Sequence, residues 1–133
     1  MIVIQAEEFS MAHEDSKFDK GLATIKRLFG QTTGSSPLPE TFARHTVEHL
    51  FGDVWQGQEL SIEERSMTTC IVLVALNREN EQRFHFRGAR NLGISKDRLE
   101  GMITHVAHYA GWPVGVSALG VLNEVWAAMD AEG

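Results

Sequence analysis

Apolar side chains recur every three or four residues along most of the 133-residue chain, which is the period of a helix packed on one side. The first such set has spacings of four, three and four, and consists of Phe18, Leu22, Ile25 and Phe29. A glycine follows at Gly30, and glycine often ends a helix because it adopts a left-handed backbone freely. We therefore predict a first amphipathic helix over about residues 16–28.

The same pattern predicts two helices in the next part of the chain. The second helix should run over about residues 39–55, with a bend at Gly52. The third should begin at Ser61, because Ser61 and Glu64 form the S-x-x-E capping box that satisfies free backbone amides. It should end near Asn77. Its second half is apolar on every side, which predicts that the third helix is the central and most buried one.

Three more helices are predicted in the remaining residues. The fourth covers about residues 79–92 and ends at Gly93, and Ser95 caps the fifth. The step Gly111-Trp112-Pro113 ends the fifth helix and starts the sixth, since proline suits a first helical position. No segment alternates strictly between apolar and polar residues. The expected fold class is all-α, with about six helices.

Composition narrows the classes of protein that remain. A chain of this length fits one domain, 1–133, in which we expect residues 1–15 to form an N-terminal arm and residues 31–39 a surface loop. The net charge of −6 disfavours a nucleic-acid binder, because phosphate contacts need clustered positive charge. No apolar run approaches the ~20 residues of a membrane span. Glu7 and Glu8 argue against a signal peptide, so we expect a cytoplasmic protein.

The single cysteine, Cys70, excludes an internal disulfide and a C-x-x-C redox pair. It lies inside the apolar run of residues 70–76. Because free cysteines are usually buried as small apolar side chains, we predict that Cys70 fills space in the core.

His85 is the first candidate for chemistry. On the fourth helix it shares a face with Gly88 and Ala89, whose small side chains leave room beside the ring for a ligand. An imidazole titrates near neutral pH and can both give and take protons. The alternative is a histidine at the edge of the core, hydrogen-bonded to a backbone carbonyl.

Positive charge is concentrated around the same helix. The arginines of this segment are Arg78, Arg83, Arg87, Arg90 and Arg98. Such a group can bind a carboxylate or phosphate ligand, since a guanidinium holds these anions through two hydrogen bonds. The alternative is a solvated face, with ion pairs to Glu79, Glu81 and Glu100.

Two further sets of polar residues are open to more than one interpretation. His105, His108, Tyr109 and Trp112 form a strip off the main core face, which could line a pocket or an interface between subunits. Residues 45–49 match H-x-x-E-H, a signature of zinc peptidases. Such a site needs a third ligand, for which the third helix offers only Glu63 and Glu64, so an exposed or interface helix is the preferred interpretation and we expect no metal.

Three segments together resemble the carboxymuconolactone decarboxylase family. They are FGDVW at 51–55, ERSMTTCIVLVALNRENEQRFHFRGARNLGIS at 64–95 and HYAGWPVGVSAL at 108–119. The resemblance implies a helical bundle similar to the alkylhydroperoxidase accessory proteins, assembled as a homotrimer or homohexamer. The redox branch of this group places its C-x-x-C pair where this chain has Arg78 and Glu81, and a glutamate where it has Ser66. Thiol peroxidase chemistry is therefore not expected.

The decarboxylase branch is the closer match, and it implies the roles of several residues. By this resemblance His85 is the catalytic acid or base, and Arg65 and Arg78 hold substrate carboxylates. Tyr109, Trp112 and Trp55 would line the substrate pocket. The implied activity is a cofactor-independent decarboxylation of a small carboxylated lactone or a related metabolite of aromatic catabolism. A non-catalytic, ligand-binding family member is the alternative, and a zinc hydrolase ranks last.

Overall fold

The computed structural model describes residues 16–30 and 37–133, and within them it contains six α-helices and no strand. The all-α prediction is therefore confirmed. The helices are α1 Lys17–Phe29, α2 Glu40–His45, α3 Ile62–Ala75, α4 Glu79–Asn91, α5 Lys96–Ala110 and α6 Trp112–Glu132. The predicted arm and residues 31–36 of the predicted loop lie outside the described residues. No helix of the described part is long and apolar enough to cross a membrane.

The predicted helix ends are confirmed by their hydrogen bonds. Ser16 caps α1 by accepting from the backbone amide of Asp19 at 3.1 Å, and Gly30 ends that helix with a φ of 79°. At the start of α3, the Ser61 hydroxyl accepts from the Glu64 amide at 3.1 Å, and the Glu64 carboxylate accepts from the Ser61 amide at 2.9 Å. The capping box is therefore complete, and it satisfies two backbone donors that the helix itself cannot pair.

The second helix differs from its prediction. The α-helical part ends at His45, a π-helical turn follows over Thr46–Phe51, and a short 3-10 turn covers Val54–Gln56. The backbone at the start of α1 approaches the end of this segment closely. A Cβ atom on Gly52 would lie 1.9 Å from the carbonyl oxygen of Lys17, so only glycine allows this approach.

The chain divides into two compact units, Met1–Glu59 and Leu60–Gly133. In the second unit, α3 and α6 each pack against both α4 and α5, so the four helices form a ring with α4 and α5 at diagonal positions. The largest buried side chains of its core include Phe86, Leu99, Ile103, Leu122, Val74 and Cys70. The predicted burial of Cys70 is confirmed.

The prediction that α3 is the most buried helix is wrong. Its buried residues form a single stripe of Ser66, Cys70 and Val74. On its other side, Ile71, Val72 and Leu76 are 38%, 48% and 66% exposed. The four-helix ring covers only one face of α3, and an apolar sequence on all sides does not by itself supply a partner for the second face.

Three arginines of α4 hold α6 by ion pairs. The pairs are Arg83–Glu124 at 2.6 Å, Arg87–Glu132 at 2.7 Å and Arg90–Asp130 at 2.6 Å. Arg90 also donates to the Trp126 carbonyl at 3.1 Å and lies 4.9 Å from the centre of the Trp126 ring. The ion-pair interpretation holds for these arginines, but their carboxylate partners come from α6 rather than from the expected Glu79, Glu81 and Glu100.

The capping box of α3 gives a direct stability prediction. Replacing Ser61→Ala should lower the free energy of unfolding by about 1 kcal/mol, because a backbone amide loses its acceptor. Urea unfolding followed by circular dichroism measures the change. Thr68→Ala is the matched control, because the Thr68 hydroxyl donates to the Glu64 carbonyl within the helix and satisfies no amide at the helix end. That variant should be neutral or slightly stabilising, and equal losses for the two variants would contradict the capping role.

Candidate active site around His85

His85 lies near the middle of α4, where the helix packs against α3. Its side chain is partly buried, and the ring nitrogen Nδ1 is inaccessible to solvent. Gly88 and Ala89, on the same face, are buried. The Cys70 thiol of α3 donates to the His85 carbonyl oxygen at 3.6 Å, so this cysteine marks the level of His85 on the neighbouring helix.

The charge state of His85 depends on two opposing effects. Burial lowers its pKa, because the protonated ring loses hydration, and the carboxylate of Glu81 raises it in part. Glu81 lies one helical turn before His85 and stays ionised, since its hydrogen bond with Arg78 lowers the pKa of Glu81. With a pKa below 6.5, His85 is predominantly neutral at pH 7.

Arg78 stands directly before the first residue of α4, in the turn from α3. Its Nη2 group donates to the Glu81 carboxylate at 2.6 Å, and its side chain is 60% exposed. An open polar depression surrounds it, lined by Asn77, Arg78, Glu79, Asn80 and Glu81. Because Arg78 makes no other ion pair among the described residues, its remaining N–H groups can bind a ligand carboxylate. Seven residues of helix, about 10 Å, separate it from His85 along the axis.

Arg65 occupies the other side of His85 along the helix pair. It is partly buried in the second turn of α3, five residues before Cys70, which corresponds to about 7 Å of helix. Since α3 and α4 run in opposite directions, Arg65 and Arg78 flank the level of His85. Of the predicted site residues, these three belong to the same helix pair.

The other predicted site residues lie elsewhere in the chain. Tyr109, at the end of α5, is 83% exposed and its ring stacks on His105 at 5.2 Å between centroids. Trp112, at the start of α6, is 61% exposed and its ring meets His108 at 5.7 Å. Because α5 is diagonal to α4, and Trp112 lies twelve residues before the first ion-paired carboxylate of α6, one chain does not bring these rings beside His85.

Trp55 belongs to the first compact unit. It is buried there, with its ring 5.4 Å from that of Phe51. This packing against Phe51 is sufficient to explain an aromatic residue at position 55, without any bound ligand.

The H-x-x-E-H segment spans the change from α2 to the π-helical turn. The wider π turn removes the regular α-helical spacing that would place His45 and His49 side by side. His49 instead lies 3.8 Å from Asp53. The described ranges contain no group of three or more His, Cys, Asp or Glu side chains placed to hold a metal ion.

Gln82 is a residue that the sequence pattern did not single out. It is fully buried one turn before His85, and its Nε2 donates to the Leu73 carbonyl of α3 at 3.1 Å. The same carbonyl accepts the Arg78 amide at 2.9 Å. The signal was present in the sequence, since Gln82 is the one polar residue on the buried stripe that continues with Phe86 and Ala89.

Comparison with known proteins places this geometry in context. Residues 40–124 match the profile of the Carboxymuconolactone decarboxylase family, which is more than half of the chain. The chain belongs to the carboxymuconolactone decarboxylase family. It is 30% identical over 120 residues to a 4-carboxymuconolactone decarboxylase of Acinetobacter baylyi, covering 86% of this chain and 90% of the relative. It is 26% identical over 108 residues to a nitrosuccinic acid decarboxylase of Metarhizium robertsii, covering 77% and 76%.

Within the carboxymuconolactone decarboxylase family, this chain has a helix pair without a reactive thiol. Burial raises the pKa of Cys70 to about 12, so the thiolate is essentially absent at neutral pH. The turn before α4 and the first turn of that helix hold the Arg78–Glu81 ion pair. A charged pair therefore occupies the surface next to His85.

The state of Cys70 predicts its reactivity. In the folded protein at pH 7.5, Cys70 should react with a disulfide reagent at least about 100-fold more slowly than after unfolding in guanidinium chloride, because both burial and protonation suppress attack. Absorbance of the released thiol measures the rate. Rapid, complete reaction of the folded protein would contradict the buried position.

Proposed function

We propose that this protein is a cofactor-independent carboxy-lyase that acts on a small carboxylated molecule in the face formed by α3 and α4. The observation that carries the proposal is the partly buried imidazole of His85, flanked along one helix pair by Arg78 and Arg65. It combines a proton carrier with two cations that can bind carboxylates. Membership of the carboxymuconolactone decarboxylase family supports this reaction class.

The names of the two relatives support a substrate class. One is a decarboxylase of a carboxylated lactone and the other a decarboxylase of nitrosuccinic acid. In each named compound an electron-withdrawing group, a lactone carbonyl or a nitro group, can delocalise the electron pair left by departing CO2. Each also carries a second carboxylate. We therefore propose a dicarboxylate whose departing carboxylate is conjugated with, or next to, such a group.

The proposed reaction has two steps. The bond between the carboxylate carbon and the skeleton breaks, CO2 leaves, and the electron pair moves onto the electron-withdrawing group. Imidazolium at His85 then gives its proton to the skeletal carbon, and the neutral ring takes a proton from water for the next cycle. Arg78 binds the carboxylate that is retained, through N–H groups that do not bond to Glu81. Arg65 is the candidate for orienting the carboxylate that departs.

The lowered pKa of His85 agrees with a role as a proton donor, because the protonated ring holds its proton weakly. A lowered pKa makes imidazolium a stronger acid, and it also makes that form scarce at neutral pH. Glu81 offsets part of this loss by stabilising the protonated ring. We therefore expect kcat to fall as the pH rises through the pKa of His85, which lies below the ordinary 6.5 of histidine.

The exposed apolar residues support the proposal of a homo-oligomer, a trimer or a hexamer. Large apolar side chains stand in solvent on several helices of one chain, among them Ile71, Val72, Leu76, Phe84, Tyr109, Trp112 and Val116. Such exposure is typical of a surface that another subunit covers. In that assembly Tyr109 and Trp112 have an interface role, which was one of the two alternatives for the aromatic strip.

Turnover of the two candidate substrates tests the function. Purified protein is incubated with 4-carboxymuconolactone or with nitrosuccinate, and release of CO2 is measured. His85→Gln should lower kcat about 10²–10⁴-fold, which is the range for loss of a general acid. Size-exclusion chromatography and circular dichroism should be unchanged. If His85→Gln turns over either substrate at the wild-type rate, His85 is not the acid. Binding of either compound without CO2 release would favour the ligand-binding alternative.

A second variant tests the role of Arg78. Arg78→Met should raise KM for the active substrate about tenfold or more, because a charge-assisted contact to the retained carboxylate is lost. Arg83→Met is the matched control, since Arg83 is another ion-paired arginine of the same segment but bonds to Glu124 of α6. KM should not change in the control. Equal effects of the two substitutions would assign the role of Arg78 to net charge alone.

A further inference from the structure

Gln82 has a buried oxygen that no residue uses. Its side chain is fully buried, and its Nε2 donates to the Leu73 carbonyl at 3.1 Å. This bond fixes the orientation of the amide, because the opposite orientation would set two oxygens against each other. The Oε1 atom is left without a hydrogen-bond partner among the described residues. A buried acceptor in this state is unfavourable, and it is uncommon enough in folded proteins to require an explanation.

The nearest titratable group on the same helix is His85. Residues three apart on an α-helix are neighbours on its surface, so Gln82 and His85 are adjacent along α4. The Nδ1 atom of His85 is also inaccessible to solvent. Neutral imidazole has one N–H donor, whereas imidazolium has donors at both ring nitrogens. Imidazolium therefore carries an N–H donor at Nδ1 whichever tautomer the neutral ring has, at a place that water does not reach.

We propose that Gln82 is a positioning residue for His85, and that its Oε1 accepts a hydrogen bond from Nδ1 of the imidazolium that forms when His85 takes up a proton. The amide is anchored to α3 through Leu73, and the protonated ring supplies the donor that its oxygen lacks. In the reaction proposed above, this bond holds the ring of the proton donor in one orientation. That catalytic consequence rests on the proposed function, whereas the hydrogen bond itself does not.

The titratable and charged groups near His85 lie on α4 and on the two helices packed against it. On α4, Glu81 attracts the protonated ring but is already bonded to Arg78. From α3, Cys70 faces the His85 backbone as an un-ionised thiol, and Arg65 stands five residues earlier. The carboxylates that α6 presents to α4 are engaged by arginines, in the pairs Arg83–Glu124, Arg87–Glu132 and Arg90–Asp130.

NMR titration of the histidine ring tests the proposal without any substrate. The His85 resonance is identified as the one of six histidine signals that disappears in His85→Gln. Gln82→Met, which keeps the size of the side chain and removes the acceptor, should lower the pKa of His85 by about one unit, the effect of one hydrogen bond to a charged group. Gln82→Leu is the second variant if the methionine variant does not fold.

Ser66→Ala is the matched control for burial. Ser66 is fully buried in α3, and its hydroxyl oxygen also lacks a hydrogen-bond partner in the described ranges. It lies seven residues, about 10 Å of helix, from the Leu73 carbonyl that anchors Gln82. The pKa of His85 should not change in this variant. An unchanged pKa in Gln82→Met, or an equal decrease in both variants, would overturn the proposal.

Thermal unfolding is an independent test, because the proposal fixes the direction in which the Tm difference between Gln82→Met and wild type changes with pH. Burial already makes the pKa of His85 lower in the folded than in the unfolded protein, so its neutral form favours folding and stability is lost as the pH falls through the folded pKa. Gln82→Met lowers the folded pKa further. Relative to wild type, its Tm should therefore decrease as the pH falls from 7 to 5. A Tm difference that does not vary with pH would contradict the hydrogen bond.

The kinetic arm separates this proposal from the proposed function. If wild-type protein turns over a substrate, Gln82→Met should move the pH at which kcat falls downward by the same amount as the pKa of His85. If wild-type protein turns over neither compound, the proposed function fails while the NMR result still decides the role of Gln82. If wild-type protein turns over a substrate but the pKa of His85 is unchanged in Gln82→Met, the proposed function stands and the positioning role of Gln82 is wrong.

Discussion

The packing of α3 against α4 is the constraint on which the candidate site depends. Three hydrogen bonds set the register of this antiparallel pair. The Leu73 carbonyl accepts both the Arg78 amide at 2.9 Å and Nε2 of Gln82 at 3.1 Å, and the Cys70 thiol donates to the His85 carbonyl at 3.6 Å. The Arg78 bond closes the turn, the Gln82 bond joins α4 to α3, and the Cys70 bond lies at the level of His85. The turn that carries Arg78 and the helix segment that carries His85 are therefore fixed relative to each other. A change of one residue in this register would move both.

The same packing creates the electrostatic character of the site. A helix pair that buries His85 in part disfavours its charged form, and a carboxylate one turn away partly restores that form. The carboxylate is in turn held by a guanidinium at the end of the helix. The exposed cation of Arg78 and the partly buried imidazole of His85 are about two turns of α4 apart. In the proposed function, the anion-binding group lies at the solvent and the proton carrier at the edge of the core, which is the order that a carboxylated ligand entering from solvent would meet.

Local signals made much of the fold predictable. The caps at Ser61 and Ser95 and the glycines at Gly30 and Gly93 act through bonds and backbone angles within a few residues, so the sequence alone locates them. The bend expected at Gly52 falls where the π-helical turn ends, but the π-helical turn itself was not predicted. The close approach of the Lys17 backbone to Gly52 could not be predicted either, because a periodic pattern contains no information about that distance.

Periodicity could not predict which of the apolar residues are buried. Residues 70–76 of α3 are apolar on all sides, yet only Cys70 and Val74 are buried, because packing partners within the chain exist on one side alone. The polar residue Gln82 shows the converse, since its amide enters the core to bond Leu73. In both cases the sequence reports which residues are apolar, whereas burial is decided by which helices are neighbours. Membership of a family narrows this choice, because it carries information about the arrangement of the helices that a single chain's pattern lacks. The candidate site follows the same rule. Residue type and spacing singled out His85 and the group of arginines that includes Arg78, and the family resemblance implied their roles, but Gln82 acquires a role only through its contact with α3.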